Sequence, residues 1–251
     1  MSMNTVIAMD EGGYRIKHVV GEGTTLNTPM LAQQLLLQSW FSPLFPIGSF
    51  AYSHGLETAI NAGLVASVTD AQNWLSDLSR YGSLWNDLLL LQAAWQATAT
   101  QDIAELNTIN QLALALAPCK ERLSETCNQG EAFWAAAQAW LPADHKIVLE
   151  DDSWTQPVAA GVTAQLCGVE LTAVLAAYAH GFLGNLISIL QRALPMGQVD
   201  AMQTLAALLR ELEEVIAALS TSSLDDLGGC ALMSDLCAMA HSDETTRIYR
   251  T

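Results

Sequence analysis

An all-α fold, a single-domain helical bundle, is what this sequence predicts, and three observations carry that expectation. No segment keeps up the alternation of apolar and polar residues that marks a half-buried strand. From Met30 onward, apolar residues recur instead at three- and four-residue spacing. The gaps between these runs hold the Pro, Gly, Asp and Ser residues that stop and start helices. A chain of 251 residues is long enough for one such domain with a full core.

The elements follow in order. Residues 1–29 are Gly- and Thr-rich without periodicity, and are expected to form a flexible arm. "MLAQQLLLQSWF" forms the first helix, ended by Pro43. A stiff turn built on Pro43, Pro46 and Gly48 leads into a helix expected over Ser49–Asn61, with Gly63 as its C-terminal stop. Thr69 or Asp70 caps the next run, which breaks near Gly82. Helical runs follow over about 102–116 and 118–140, the second opening at Pro118. Residues 141–157 are polar and acidic and form a connection. Another run covers about 158–166, and then an apolar helix covers 169–193, halted by Pro195 and Gly197. "DAMQTLAALLRELEEVIAALS" is amphipathic, with Met202, Leu205, Leu209, Leu212, Ile216 and Leu219 expected to face the core. "CALMSDLCAMA" is a short helix before a polar tail.

Composition narrows the function. Apolar residues make up 51% and charged ones only 14%, so some apolar surface is left for a second copy or a standing partner. The net charge of −16 argues against nucleic acid and anionic membrane surfaces, both of which need clustered Lys and Arg. Five cysteines without a CxxC, and an N-terminus without the pattern of a signal peptide, point to reduced thiols in the cytoplasm. Residues 171–191 carry no charge and are long enough to span a membrane. His180, Asn185 and small residues along that run, with no positive-inside signal, favour a central bundle helix instead.

The stretch "SPLFPIGSFAYSHGLETAINAG" raises the question of catalysis. On a continuous helix from Ser49, Phe50, Ser53, His54 and Glu57 share the exposed side, opposite Tyr52, Leu56 and Ala59. Adjacent Ser53 and His54 diverge by roughly 100° around such a helix, so they do not form a nucleophile pair. No GxSxG elbow and no phosphate loop is present. The five histidines are scattered without HxH, HxxxH or HExxH spacing, so no metal site is expected. The patch reads as a binding surface. Arg192, closing the uncharged helix, either complements the helix dipole or meets a partner, together with Pro195 and Gln198. Arg247, Tyr249 and Arg250 are either a frayed end or a segment that folds onto a partner.

Four collinear blocks resemble the UreF family of urease accessory proteins. They are "LLQSWFSPLFPIGSFAYSHGLETAINAGLV", "ERLSETCNQGEAF", "NLISILQRALPMGQVDAMQTL" and "LMSDLCAMAHSDETTRIYRT". The resemblance implies an all-helical homodimer without catalytic activity, which bridges UreD (also called UreH) and the GTPase UreG during nickel delivery to apo-urease. It implies no tightly bound cofactor, nickel being handled by the complex, and a partner-binding tail over 240–251 after a helical domain over 30–239. By position, Pro46, Gly48, Ser53, Gly55, Leu56 and Glu57 match the family's opening motif. Arg192, Pro195, Gly197 and Gln198 match its second polar block, and His241, Arg247 and Tyr249 its tail. Ser242, Thr245, Thr251 and the order Glu121-Arg122-Leu123 depart from the family pattern. A second reading is a GTPase activator that supplies Arg192 or Arg247 to UreG.

Overall fold

The computed structural model describes residues 28–150 and 153–251. The arm expected over 1–29 lies outside them except for its last two residues, which open the first helix. Among the described residues there are ten α-helices and no strands.

Helix α1 (Thr28–Trp40) runs into the Pro-rich turn, whose aromatic side chains anchor it. Phe45 packs tilted against Phe133 at 5.0 Å between ring centroids, and Trp40 and Phe41 meet the same ring. Helix α2 (Leu56–Asn61) is short, and Gly63 follows it at φ 74°, the left-handed stop expected there. Helix α3 (Val68–Tyr81) is capped by Ser67, two or three residues earlier than expected. Ser67 Oγ accepts from Asp70 N–H, and Asp70 Oδ2 accepts from Ser67 N–H, so both orphan amides are satisfied reciprocally. Gly82 separates α3 from α4 (Ser83–Ala99), as the sequence predicts. Asp102 caps α5 (Ile103–Ala115) by accepting from Glu105 N–H. Helix α6 covers Lys120–Ala137, and α7 covers Gln156–Leu166 with Pro157 in its first turn, where a missing N–H is harmless. Helices α8 (Leu171–Ala193), α9 (Gln198–Leu219) and α10 (Leu232–Ala240) complete the bundle.

Helix α7 is the centre. Residues Pro157 to Ala164 are all buried, and α7 packs on α4, α5, α6 and α8. Two glycines allow this crowding. A Cβ on Gly161 would lie 2.5 Å from Leu91 O of α4, and one on Gly130 of α6 would lie 2.1 Å from Trp154 O at the entry to α7. Helix α8 is the one described helix long and apolar enough to cross a membrane, yet half of its most apolar stretch is buried inside this bundle.

Helix α9 bears out Leu212 and Leu219 as core residues and corrects the expectation at Met202. Ala201, Thr204, Leu208, Leu212, Val215 and Leu219 face the core, while Met202 is exposed and Leu205, Leu209 and Ile216 flank the interface. Small Ala201 and Thr204 are the buried residues of its first two turns, and α3 and α8 are the helices that pack most on α9. The α3 side of α9 is fixed by Arg80, which donates to Glu211 at 3.3 Å and to Glu214 at 3.0 Å.

Candidate functional site

The chain from Gly48 to Leu56 does not form the helix expected there. A single 3₁₀ turn (Ser49–Ala51) gives way to extended backbone at Tyr52, and His54 and Gly55 then sit at φ 60° and 78°. Two left-handed residues in succession reverse the chain before α2 begins. Gly55 is required twice over: besides its φ, a Cβ there would lie 2.8 Å from Ala238 N and 2.9 Å from Ser234 O, so α10 lies directly on this turn.

This geometry overturns the exposed polar face. Ser53, His54 and Glu57 are buried, and of the four residues assigned to that face Phe50 alone is exposed. The covering element is the C-terminal tail, which is docked rather than frayed. Glu57 is the clamp. Its carboxylate accepts from the N–H groups of Ile248 (2.8 Å) and Tyr249 (3.1 Å) and lies 3.0 Å from His241 Nε2. Burial works to raise the Glu57 carboxyl, but these three bonds outweigh it and hold the pKa below its ordinary value. Beyond the clamp, Arg250 N–H donates to Ala51 O, and the N–H and Oγ of Ser53 both donate to the main-chain oxygen of Thr251.

Thr251 joins the clamp to a second buried cluster. Its Oγ1 accepts from His54 N–H at 3.2 Å and donates to Glu125 Oε2 at 3.0 Å. Arg122, one turn before Glu125 on α6, donates to Glu125 and to His54 Nδ1. Burial opposes charge on Glu125, but the Arg122 guanidinium holds its pKa well below the carboxylate range. Burial first, and Arg122 second, bring the His54 pKa down to about 4. His54 is therefore neutral near pH 7, so its 3.3 Å contact with Glu125 is not an ion pair.

Ser83, His54 and Glu125 stand in the order of a hydrolase triad, with Ser83 Oγ 2.5 Å from His54 Nε2. The protons run the wrong way for that chemistry. Arg122 donates to Nδ1, so the network assigns the ring proton to Nε2, which donates to Ser83 and cannot accept from it. A histidine with a pKa near 4 is also a poor base at neutral pH. The arrangement braces the turn.

The structure thus joins all four of the sequence blocks, with Arg122 and Glu125 bonded to His54 and Thr251. Ser53, His54, Gly55 and Glu57 meet His241, Tyr249 and Thr251, and the Arg192 guanidinium stacks over the Tyr249 ring at 5.4 Å. Arg192 also donates to Ser188 O, so it closes its own helix as well. Arg250 lies over Tyr52 at 5.9 Å. Pro46, Phe50, Pro195, Gln198 and Arg247 are exposed and stand apart from the cluster. Sequence reasoning missed Ser83, Arg122 and Glu125 as participants, although Arg122 and Glu125 lie in the block "ERLSETCNQGEAF". It also took Thr251 only as a departure. Among the described residues no three His, Cys, Asp or Glu side chains are placed to hold a metal ion.

Comparison with known proteins gives a consistent reading. The UreF family model matches residues 65–209, more than half of the chain. The urease accessory protein UreF of Ruegeria pomeroyi is 37% identical over 224 residues, covering 89% of this chain and 99% of that protein. UreF of Methylobacterium radiotolerans is 40% identical over 222 residues (87% and 97%), and UreF of Agrobacterium fabrum 39% over 221 (88% and 97%). Matched in family pattern and in relatives along nearly their full length, this chain belongs to the UreF family of urease accessory proteins.

Proposed function

We propose that this chain is a non-enzymatic adaptor that helps insert nickel into apo-urease by bridging UreD/UreH and the GTPase UreG, as a cytoplasmic homodimer. The observation that carries this reading is the docked tail. The clamp turns the backbone and Tyr249 inward and leaves Arg247, Ile248 and Arg250 outward, with Ile248 80% exposed. Beside it, α10 exposes Leu232, Met233, Leu236 and Met239 along one stripe. An apolar ridge edged by arginines has the composition of a protein interface, and its rigid backing spares the entropy of ordering a free tail on binding. The uncharged face of α8 around Ala176, His180 and Gly184 suits contact with a second copy.

Co-purification with UreD/UreH and UreG tests the proposal. Ile248→Ser combined with Arg250→Gln keeps the backbone donors of the clamp and is expected to abolish recovery of UreD/UreH while the protein stays folded in a thermal melt. Undiminished recovery would refute the reading. Complexes that form normally but no longer stimulate GTP turnover would favour the activator reading, with an exposed arginine acting on UreG.

A further inference from the structure

The clamp and its partner surface leave one feature unused. A cavity of about 330 Å³ lies between the first turn, α4, α6 and α8. That volume is at the lower end for small-molecule pockets, roughly 300–1,000 Å³. Trp40, Phe41, Phe50, Tyr178 and Phe182 supply aromatic walls, and Gly181 and Gly184 of α8 leave one side without bulk. The charged residues that line it are Asp87, Arg122 and Glu125, with His54 and His180 also present.

The charges do not cancel. Arg122 is committed to Glu125, and His54 is neutral. Asp87 is left, and its hydrogen-bond partner is the neutral Tyr178 hydroxyl, which donates to Asp87 Oδ2 at 2.8 Å. Burial pushes the Asp87 carboxyl up to about 6, so near pH 7 it is mostly ionised. Asp87 keeps some accessible surface because it lines this cavity and a smaller one on the other side of Arg122. Arg122 also acts on Asp87 through space, but it is bonded to Glu125, so one cation faces two carboxylates; that deficit beside aromatic walls favours a ligand whose charge meets Asp87 and whose body lies against the rings. The net charge of −16 draws cations toward the molecule.

We propose that this cavity is a binding site for a guanidinium or ammonium group on an apolar stem, the chemistry of an arginine or lysine side chain or of a free alkylguanidine. The cation sits against Asp87 and the stem lies between the aromatic walls. The site shares His54, Arg122 and Glu125 with the cluster under the docked tail, and His180 and Gly184 with the α8 face that suits a second copy.

Calorimetric titration of the full chain at pH 7.5 with butylguanidine, and in parallel with acetyl-Gly-Arg-Gly-amide, tests it. Saturable binding is expected, weakened about tenfold or more by Asp87→Asn and by Gly184→Phe. Asp87→Asn keeps an acceptor for Tyr178 and removes a charge that burial disfavours. A Cβ at Gly184 meets nothing within 4 Å, so Gly184→Phe obstructs the cavity without a backbone clash and decides the matter even if the Asp87 variant fails to fold. Binding of the peptide as well as butylguanidine identifies the ligand as a partner's arginine, and binding of butylguanidine alone identifies a free small cation. No saturable binding of either probe, or binding that Gly184→Phe leaves unchanged, overturns the proposal.

Discussion

Replacing Glu57 with Ala removes the acceptor that three donors share. Ile248 is largely exposed, so its N–H can turn to water, but His241 is fully buried and Tyr249 nearly so. Two donors stranded out of water destabilise the docked state by about 2–6 kcal/mol, taking about 1–3 for each. The tail has an escape, because residues 244–251 can peel away and leave the bundle intact. The loss in global stability is therefore capped by the free energy with which the tail docks, and the rest appears as undocking. Hydrogen–deuterium exchange separates the two. In Glu57→Ala the amides of Tyr249 and Arg250 should lose at least about tenfold in protection, the equivalent of 1.4 kcal/mol, while those of α7 change little. Glu57→Gln, which keeps one accepting oxygen, should fall between. The same contact gives a pH signature. The folded-state pKa of Glu57 is depressed, so its stabilisation is full above the unfolded value of 4.5 and is lost as pH falls through the folded value. Tail protection should thus fade on acidification below about pH 4.5, before the bundle opens. Unchanged protection of 249–250 in Glu57→Ala would refute the clamp.

Three further outcomes are expected. Arg122→Met strands Glu125 in a buried site and should lower stability by about 3–5 kcal/mol in urea denaturation, more than any exposed arginine does. The helix glycines should split by environment. Gly130→Ala drives a Cβ into Trp154 O and should prevent accumulation of folded protein, whereas Gly184→Ala enters open space and should raise stability by about 0.5–1 kcal/mol in thermal melts. A fluorophosphonate probe should not label Ser83, because His54 donates to that hydroxyl and cannot activate it; mass spectrometry of the treated protein reads this directly.

Helices with strong punctuation were legible in the sequence. Gly63 and Gly82 marked real boundaries because each acts through its own backbone. Ser49 to Asn61 was misread for the opposite reason: Gly55 was treated as one residue of a continuous helix, and its need for space against Ala238 comes from a segment more than 170 residues away. The α9 stripe held at Leu212 and Leu219 and failed at Met202, which looked like core while its small neighbour Ala201 is the buried residue. The site was half legible. The resemblance picked out Glu57, His241 and Tyr249 as separate motif positions, but their meeting is a tertiary fact, and the burial of Glu57 reverses the outward face assigned to it. Glu125 went unnoticed because a glutamate in an amphipathic helix looks solvated until Arg122 and His54 are seen beside it.

The bond between Ser53 and Thr251 ties residues 198 positions apart. Closing so long a loop is among the last things a growing polypeptide can do. Until residues 248–251 have been made and find their seat, Glu57 and Ser53 stand open. A companion protein that arrives in that interval meets an unlatched molecule, and one that arrives later meets a finished edge. Order of arrival thus becomes a variable of assembly in its own right, written into the chain by the distance between its two halves of one contact.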